Sequence, residues 1–193
     1  MAELLTLSGG QAAPYVEELA RLRIAVFREY PYLYEGDMAY ETAYLDTFLQ
    51  AQDNVLILVR EQERIVGAST GLPMVEETDN IKEPLIEAGY NIQRVFYYGE
   101  SVLLPEYRGQ GWGKAFFAER ERFARSLGRF DTLTFCAVER PEGHPLRPAG
   151  YQPLDPFWKQ QGFEPTSHFC YIRWQERGET EEKAKPLRYW VKG

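Results

Sequence analysis

Apolar positions change period several times along the chain, and each change marks an element. Leu4, Leu5 and Leu7 form a short run read as a first strand over residues 3–7, which Gly9-Gly10 breaks. From about residue 14 to residue 30, Leu19, Leu22, Val26 and Tyr30 recur at three- and four-residue steps. Ala20 and Phe27 fill the neighbouring stripe, which predicts a core-facing helix. Residues 31–38, rich in tyrosine, proline and glycine, predict a loop, and a second helix is expected over 39–50.

Two apolar runs, 55–60 and 65–72, flank the polar turn Glu61-Gln62-Glu63-Arg64, the pattern of an antiparallel hairpin stopped by Pro73. A short helix is expected at 83–88, and the apolar run 95–104 follows, ended by Pro105. A strong helix then starts near Gly111. Its stripe is Phe116, Phe117, Arg120, Phe123, Ala124 and Leu127, with Gly128 placed to end it.

Residues 132–138 read as a strand, and 140–153 form a Pro/Gly-rich loop too long to be a simple connection, of the kind that lines sites. Asp155-Pro156 reads as an N-cap followed by proline at the first helical position, opening a short helix that Gly162 closes. Residues 163–174 suit one long strand or a pair. The charged run 176–185 predicts a solvated turn or loop, and 187–191 returns as a final strand that, with another edge strand, could support a homodimer.

Composition narrows the class. A chain of 193 residues with 44% hydrophobic and 26% charged residues suits one soluble domain over residues 1–193, and its 15% aromatic content suggests large apolar side chains around a core or pocket. The net charge of -7 argues against broad nucleic-acid binding, which needs a basic face. No apolar run approaches the roughly 18–20 residues of a membrane span, and Met1-Ala2-Glu3 lacks a basic leader, so a cytoplasmic location is expected. Cys136 and Cys170 fall in strand-like stretches, as reduced thiols acting as small hydrophobes do. With two histidines and no paired ligand spacing, no metal site is expected.

The chemistry concentrates on Arg108-Gly109-Gln110-Gly111-Trp112-Gly113, between a strand and a helix. Unpaired amides at a helix N-terminus point at an anion there and the helix dipole favours it, while glycines let a phosphate approach and Arg108 and Lys114 add charge. A P-loop is excluded, because Arg108 stands where its first glycine belongs and Ala115 follows Lys114. A dinucleotide fingerprint from Gly109 is excluded too, since Lys114 occupies its third glycine.

The remaining pattern, Arg-x-x-Gly-x-Gly, resembles the acyl-CoA pyrophosphate loop of the GNAT N-acetyltransferase superfamily. The strand 101–107 before it, and Phe157-Trp158-Lys159-Gln160-Gln161-Gly162-Phe163 after it, resemble two further family elements in the expected order. The resemblance implies an α+β, α/β-layered GNAT fold: a mixed, mostly antiparallel central sheet of about six to seven strands, flanked by helices and splayed between its two central strands. It implies acetyl-CoA as cofactor, with direct attack on the thioester by a primary amine of a small molecule, peptide or protein. Residues Arg108, Gly109, Gln110, Gly111, Trp112, Gly113 and Lys114 would hold the phosphates. The backbone of Val102, Leu103 and Leu104 would hold the pantetheine, with an amide near Leu103 polarising the acyl oxygen.

An ammonium must lose a proton before it can attack, and Glu100 is the one acid inside the apolar run 95–104. It is therefore the candidate base, against the competing role of an ion pair with Arg94 or another basic group. Strict alternation places Glu100 on one face with Tyr98 and Val102, so Tyr98 joins Tyr32 and Tyr34 as candidate acceptor-site residues. Trp158 stands where the family often carries a tyrosine that protonates the departing thiolate, leaving Tyr107, Tyr151 and His144 as substitutes. That departure supports the alternative of a catalytically silent acyl-CoA-binding module that regulates a partner.

Overall fold

The apolar runs assemble into one sheet with helices on both faces. The computed structural model describes residues 1–193, with strands β1 (Ala2–Ser8), β2 (Val55–Glu61), β3 (Arg64–Pro73), β4 (Val95–Leu103), β5 (Thr132–Val138), β6 (Glu164–Trp174) and β7 (Lys183–Lys192). They lie in the order β1-β2-β3-β4-β5-β7-β6. The helices are α1 (Val16–Phe27), α2 (Met38–Gln50), α3 (Asp79–Glu87), α4 (Trp112–Ser126) and α5 (Asp155–Gln160).

Burial on both faces explains the continuous apolar runs of the central strands. Val55, Ile57 and Val59 of β2 join Phe96, Tyr98, Phe116, Phe117, Phe135 and Phe163 in the core beneath α4. Leu56 and Leu58 face the other way, where Leu19, Leu22, Leu45 and Phe48 bring α1 and α2 onto the sheet. Beside them Tyr97, Cys136, Cys170 and Tyr189 pack with Ile81 and Leu85 of α3.

Two irregularities in β4 create the site. Strands β4 and β5 are the one parallel pair, and their register covers Val95–Tyr97 against Thr132–Thr134 before the strands part. On the other side, the β3–β4 register shifts between Ser69 and Gly71, so that Thr70 alone faces Gly99 and Glu100. This bulge turns the later residues of β4 over. Tyr98 enters the core beneath α4, whereas Glu100 reaches α1 and Val102 packs beneath α1 and α2. Of the single face expected for Tyr98, Glu100 and Val102, the last two share the α1–α2 side and Tyr98 is corrected to the opposite one. Gly99 is required at the bulge, since an added Cβ would lie 2.4 Å from Thr70 Oγ1.

Arg120 of α4 fastens the bulge from the opposite face. Its Nη1 donates to the carbonyls of Thr70 and Glu100, each at 3.3 Å, and its Nη2 to Ser101 Oγ at 2.9 Å. Ser69 Oγ adds a bond to the Glu100 carbonyl at 2.9 Å. Burial pulls the Arg120 guanidinium down to about 10, and the ring of Tyr98, 4.1 Å away, supplies a π face in place of water.

Other expectations change in detail. The helix expected from residue 14 starts as a 3-10 turn over Gly9–Tyr15 and α1 ends at Phe27, leaving Tyr30 beyond it. The run 176–185 is not simply solvated: Glu176 and Lys185 are buried, and Arg140 and Lys185 both pair with Glu176. Four opposite charges neutralise one another there, because Glu179 also accepts from Lys185 at 2.9 Å. The final strand lies between β5 and β6, so it offers no free edge to a second chain; the sheet edges are β1 and β6.

Candidate active site

A cavity opens against the α1–α2 face of β4 beside the bulge, with Tyr34, Tyr44, Tyr97, Trp174, Glu41 and Glu100 in its wall. Each charged residue arrives on an otherwise apolar stripe. Arg23 sits among Leu19, Ala20 and Leu22 on α1, and Glu41 precedes Leu45 and Phe48 on α2. Arg23 Nε donates to Glu41 Oε2 and its Nη1 to Glu100 Oε2. All three residues are buried, with exposures of 7% for Arg23, 0% for Glu41 and 7% for Glu100. The guanidinium also lies over Tyr44, 4.4 Å from the ring centroid.

Burial works to lower the Arg23 pKa, but the charges of Glu100 and Glu41 outweigh it and hold the group above its ordinary value. Glu100 thus has Arg23 as its ion-pair partner; Arg94 pairs with Asp131 at 2.6 Å instead. The other carboxylate oxygens, Glu41 Oε1 and Glu100 Oε1, are buried without a hydrogen-bond partner, as is the Tyr34 hydroxyl. Burial, then a long hydrogen bond toward Glu41, push that hydroxyl's pKa up.

The loop over this cavity is held by backbone bonds. Tyr34 N donates to Phe27 O at 2.8 Å, and Asp37 caps α2 by accepting from Ala39 N at 2.9 Å and Tyr40 N at 3.0 Å. Arg140, at the start of the long loop, donates to Pro31 O at 2.7 Å and Tyr32 O at 3.2 Å, and Trp174 Nε1 donates to Tyr32 O at 3.1 Å. The structure therefore brings Tyr32, Tyr34 and Glu100 to one cavity and leaves Tyr98 outside it.

A second cavity of about 300 Å³ shares Tyr40, Tyr44, Gly99 and Glu100 with the first and continues to Thr70, Leu72 and Glu77. Burial raises the Glu77 carboxyl to about 7, against the stabilising bond it accepts from Thr78 N at 3.0 Å.

The glycine loop presents open space and free amides at the start of α4. Gly109 and Gly111 have φ of 74° and 91°, a region costly for any residue with a Cβ, and no atom lies within 4 Å of a Cβ built on either. Gly111 caps α4, whose first intrahelical bond runs from Ala115 N to Gly111 O at 3.1 Å, leaving the amides of Trp112, Gly113 and Lys114 without intrahelical acceptors. Trp112 Nε1 is buried and unpartnered. Arg108 donates to Leu103 O at 3.1 Å and to Glu29 at 2.8 Å, and Gln110 braces the loop through Glu106 O at 3.0 Å.

Of residues 102–104, expected to offer backbone to pantetheine, one turns an unpaired amide toward the splay, its carbonyl being held by Arg108. The Leu104 amide donates to Val66 O at 2.9 Å, so by ladder alternation Val102 also faces β3 and Leu103 faces the splay. Among the substitutes for the missing tyrosine, Tyr107 donates its hydroxyl to Glu61 at 2.6 Å. His144 Nδ1 accepts from Leu146 N at 3.2 Å, and Tyr151 packs on Tyr30 with ring centroids 4.7 Å apart. Trp158 itself packs between Phe135 and Trp190, at 5.1 and 5.0 Å.

Residues 19–163 match the family model described as Acetyltransferase (GNAT) family. The chain belongs to the GNAT acetyltransferase family. No curated protein sequence matches it. Among solved structures, Brucella melitensis ribosomal-protein-alanine N-acetyltransferase aligns with a TM-score of 0.61 at 13% identity, covering 97% of this chain and 98% of that one. Escherichia coli ElaA aligns with a TM-score of 0.58 at 16% identity over 100% of both chains. The Salmonella typhimurium protein yncA, solved with acetyl-CoA, aligns with a TM-score of 0.57 at 9% identity over 97% of this chain and 92% of that one. These likenesses establish the GNAT fold, with its open seven-strand mixed sheet.

Sequence patterns missed Arg23, Glu41, Tyr44 and Glu77. For Arg23 and Glu41 a signal existed, since each places a charge inside a helical core stripe; Tyr44 and Glu77 join the site through tertiary packing.

Proposed function

We propose that the protein transfers an acetyl group from acetyl-CoA to a primary amine, and that the amine binds beside Glu100. The observation that carries this reading is the buried, unpartnered Glu100 Oε1, set at the bulge where β4 leaves β5. Acetyl-CoA supplies a thioester whose acyl carbon accepts the amine nitrogen as its C–S bond breaks and the thiolate leaves.

The loop from Arg108 to Lys114 would hold the pyrophosphate through the free amides of α4, with Arg108 and Lys114 as counter-charges. The Leu103 amide, turned to the splay, would donate to the acyl oxygen as negative charge develops there. Glu100 would accept one proton from the ammonium, and the new amide forms after a second proton leaves nitrogen. One of these protons ends on the coenzyme sulfur and the other in solvent. A thiol of pKa about 8.5 leaves readily, which removes the need for a dedicated tyrosine at Trp158.

The reading of a silent acyl-CoA-binding module draws on Trp158, whose indole is packed and has no acidic proton to give. Free-thiol release from acetyl-CoA across a panel of amines separates the two. Turnover that collapses in Glu100→Gln supports transfer; tight acetyl-CoA binding with no turnover supports the module.

A further inference from the structure

Three buried polar atoms cluster in the first cavity, Glu41 Oε1, Glu100 Oε1 and the Tyr34 hydroxyl, on residues exposed by 0%, 7% and 7%; none makes a full hydrogen bond, and the Tyr34 hydroxyl turns its proton toward Glu41, which leaves its oxygen lone pairs to accept. A buried polar atom left unpaired is costly, so a set of three in one cavity marks a ligand's position. The two carboxylates are gathered by the same guanidinium, Glu41 at its Nε and Glu100 at its Nη1, and both line the one cavity. With both ionised, two negative charges face one positive charge.

We infer that the acceptor is a primary amine whose ammonium is its one charge and whose remainder is apolar, its three N–H groups donating to Glu41, Glu100 and Tyr34. The inference rests on the amine-acetylation reading for its chemistry but makes a separate claim about recognition. Three acceptors match the three donors of an ammonium, and one added cation neutralises the cavity. The rest of the wall is apolar or aromatic, including Phe27, Tyr97, Ile172, Trp174 and Leu187, with no further charged side chain. A second ammonium held inside this cavity would find no counter-charge, since the next carboxylate, Glu77, lies in the adjoining cavity, and burying it unpaired is prohibitive. A ligand carboxylate would face two glutamates, and Arg23 already donates to both of them. Amino acids, and diamines whose second ammonium stays inside this cavity, are therefore disfavoured.

The roles of the two glutamates divide. Glu100 holds the ammonium and then takes its proton, while Glu41 remains the counter-ion that keeps Arg23 satisfied.

Calorimetry on the full chain saturated with coenzyme A tests this with four matched probes: benzylamine, benzyl alcohol, phenylglycine and para-xylylenediamine. They keep one ring and respectively present the ammonium, remove it, add a carboxylate and add a second ammonium. Benzylamine is expected to bind about tenfold or more tightly than each of the others. Glu41→Gln should weaken benzylamine about tenfold with coenzyme A binding unchanged. Should Glu41→Gln fail to fold, Tyr34→Phe removes only the hydroxyl and should weaken benzylamine about threefold or more.

Benzyl alcohol, phenylglycine or the diamine binding as tightly as benzylamine overturns the inference, as does no benzylamine binding at about 10 mM. Thiol release from acetyl-CoA is followed in parallel. Benzylamine binding without thiol release removes the transfer reading and leaves the recognition claim standing. Acetylation that favours phenylglycine or para-xylylenediamine does the reverse.

Discussion

Arg23 of α1 donates to Glu100 at the bulge of β4 while its Nε holds Glu41 of α2, so one buried guanidinium ties two helices to the strand that carries the candidate base. Each partner would be costly alone. Arg23→Met leaves two carboxylates uncompensated and is expected to lose about 3–5 kcal/mol of stability in chemical denaturation. Adding Glu41→Gln and Glu100→Gln to it should restore at least about half of that loss, since the penalty lies in the orphaned charges. A loss below about 1 kcal/mol in the single variant would mean the trio is solvated.

Glu100→Gln keeps the side-chain volume and removes the proton acceptor. The rate of amine acetylation should fall about 10²- to 10⁴-fold, while the acetyl-CoA dissociation constant stays within about twofold. An unchanged rate removes Glu100 from the chemistry.

Gly111 sits at a φ of 91°, so Gly111→Ala forces the loop either to carry strain or to move. The left-handed region costs about 1–2 kcal/mol for an L-residue, which corresponds to about a 5- to 30-fold loss in acetyl-CoA affinity if the cradle shifts. Gly113→Ala is the comparison: its φ is not left-handed and its Cβ would meet Phe157 Cζ at an ordinary 3.5 Å, so it adds a methyl to the same loop without the backbone strain. Calorimetry showing equal losses for both variants would mean that the αL geometry of Gly111 is not what matters.

Glu77 gives a pH signature. Its folded-state pKa of about 7 lies above the ordinary 4.5, so the folded protein holds a proton that the unfolded chain has released between those values. Its contribution to stability is therefore lost as pH rises from about 4.5 to about 7, on the order of 2 kcal/mol in all because the side chain keeps some exposure. Stability measured across that window should fall less steeply in Glu77→Gln than in the parent protein. Identical slopes would place Glu77 in solvent.

The fold was legible wherever one local rule governed. The glycine loop followed from spacing, and Glu100 stood out as a lone acid in an apolar strand. Period-two alternation put Tyr98 beside Glu100, and the bulge reversed it. The hint was Gly99, a glycine inside a strand, though nothing local says which way the later residues turn. Arg23 and Glu41 were visible as charges on core stripes, but their meeting depends on how α1 and α2 cross β4. The run 176–185 looked solvated because its counter-charge, Arg140, lies on another loop.

The most direct test of the account is mass spectrometry of an amine incubated with acetyl-CoA and either the parent protein or Glu100→Gln. The account predicts that the amine gains one acetyl group with stoichiometric thiol release in the parent, and that this is lost in the variant, which still binds acetyl-CoA. No acetylated amine from the parent protein across monoamines, diamines and peptides, despite bound acetyl-CoA, would contradict it.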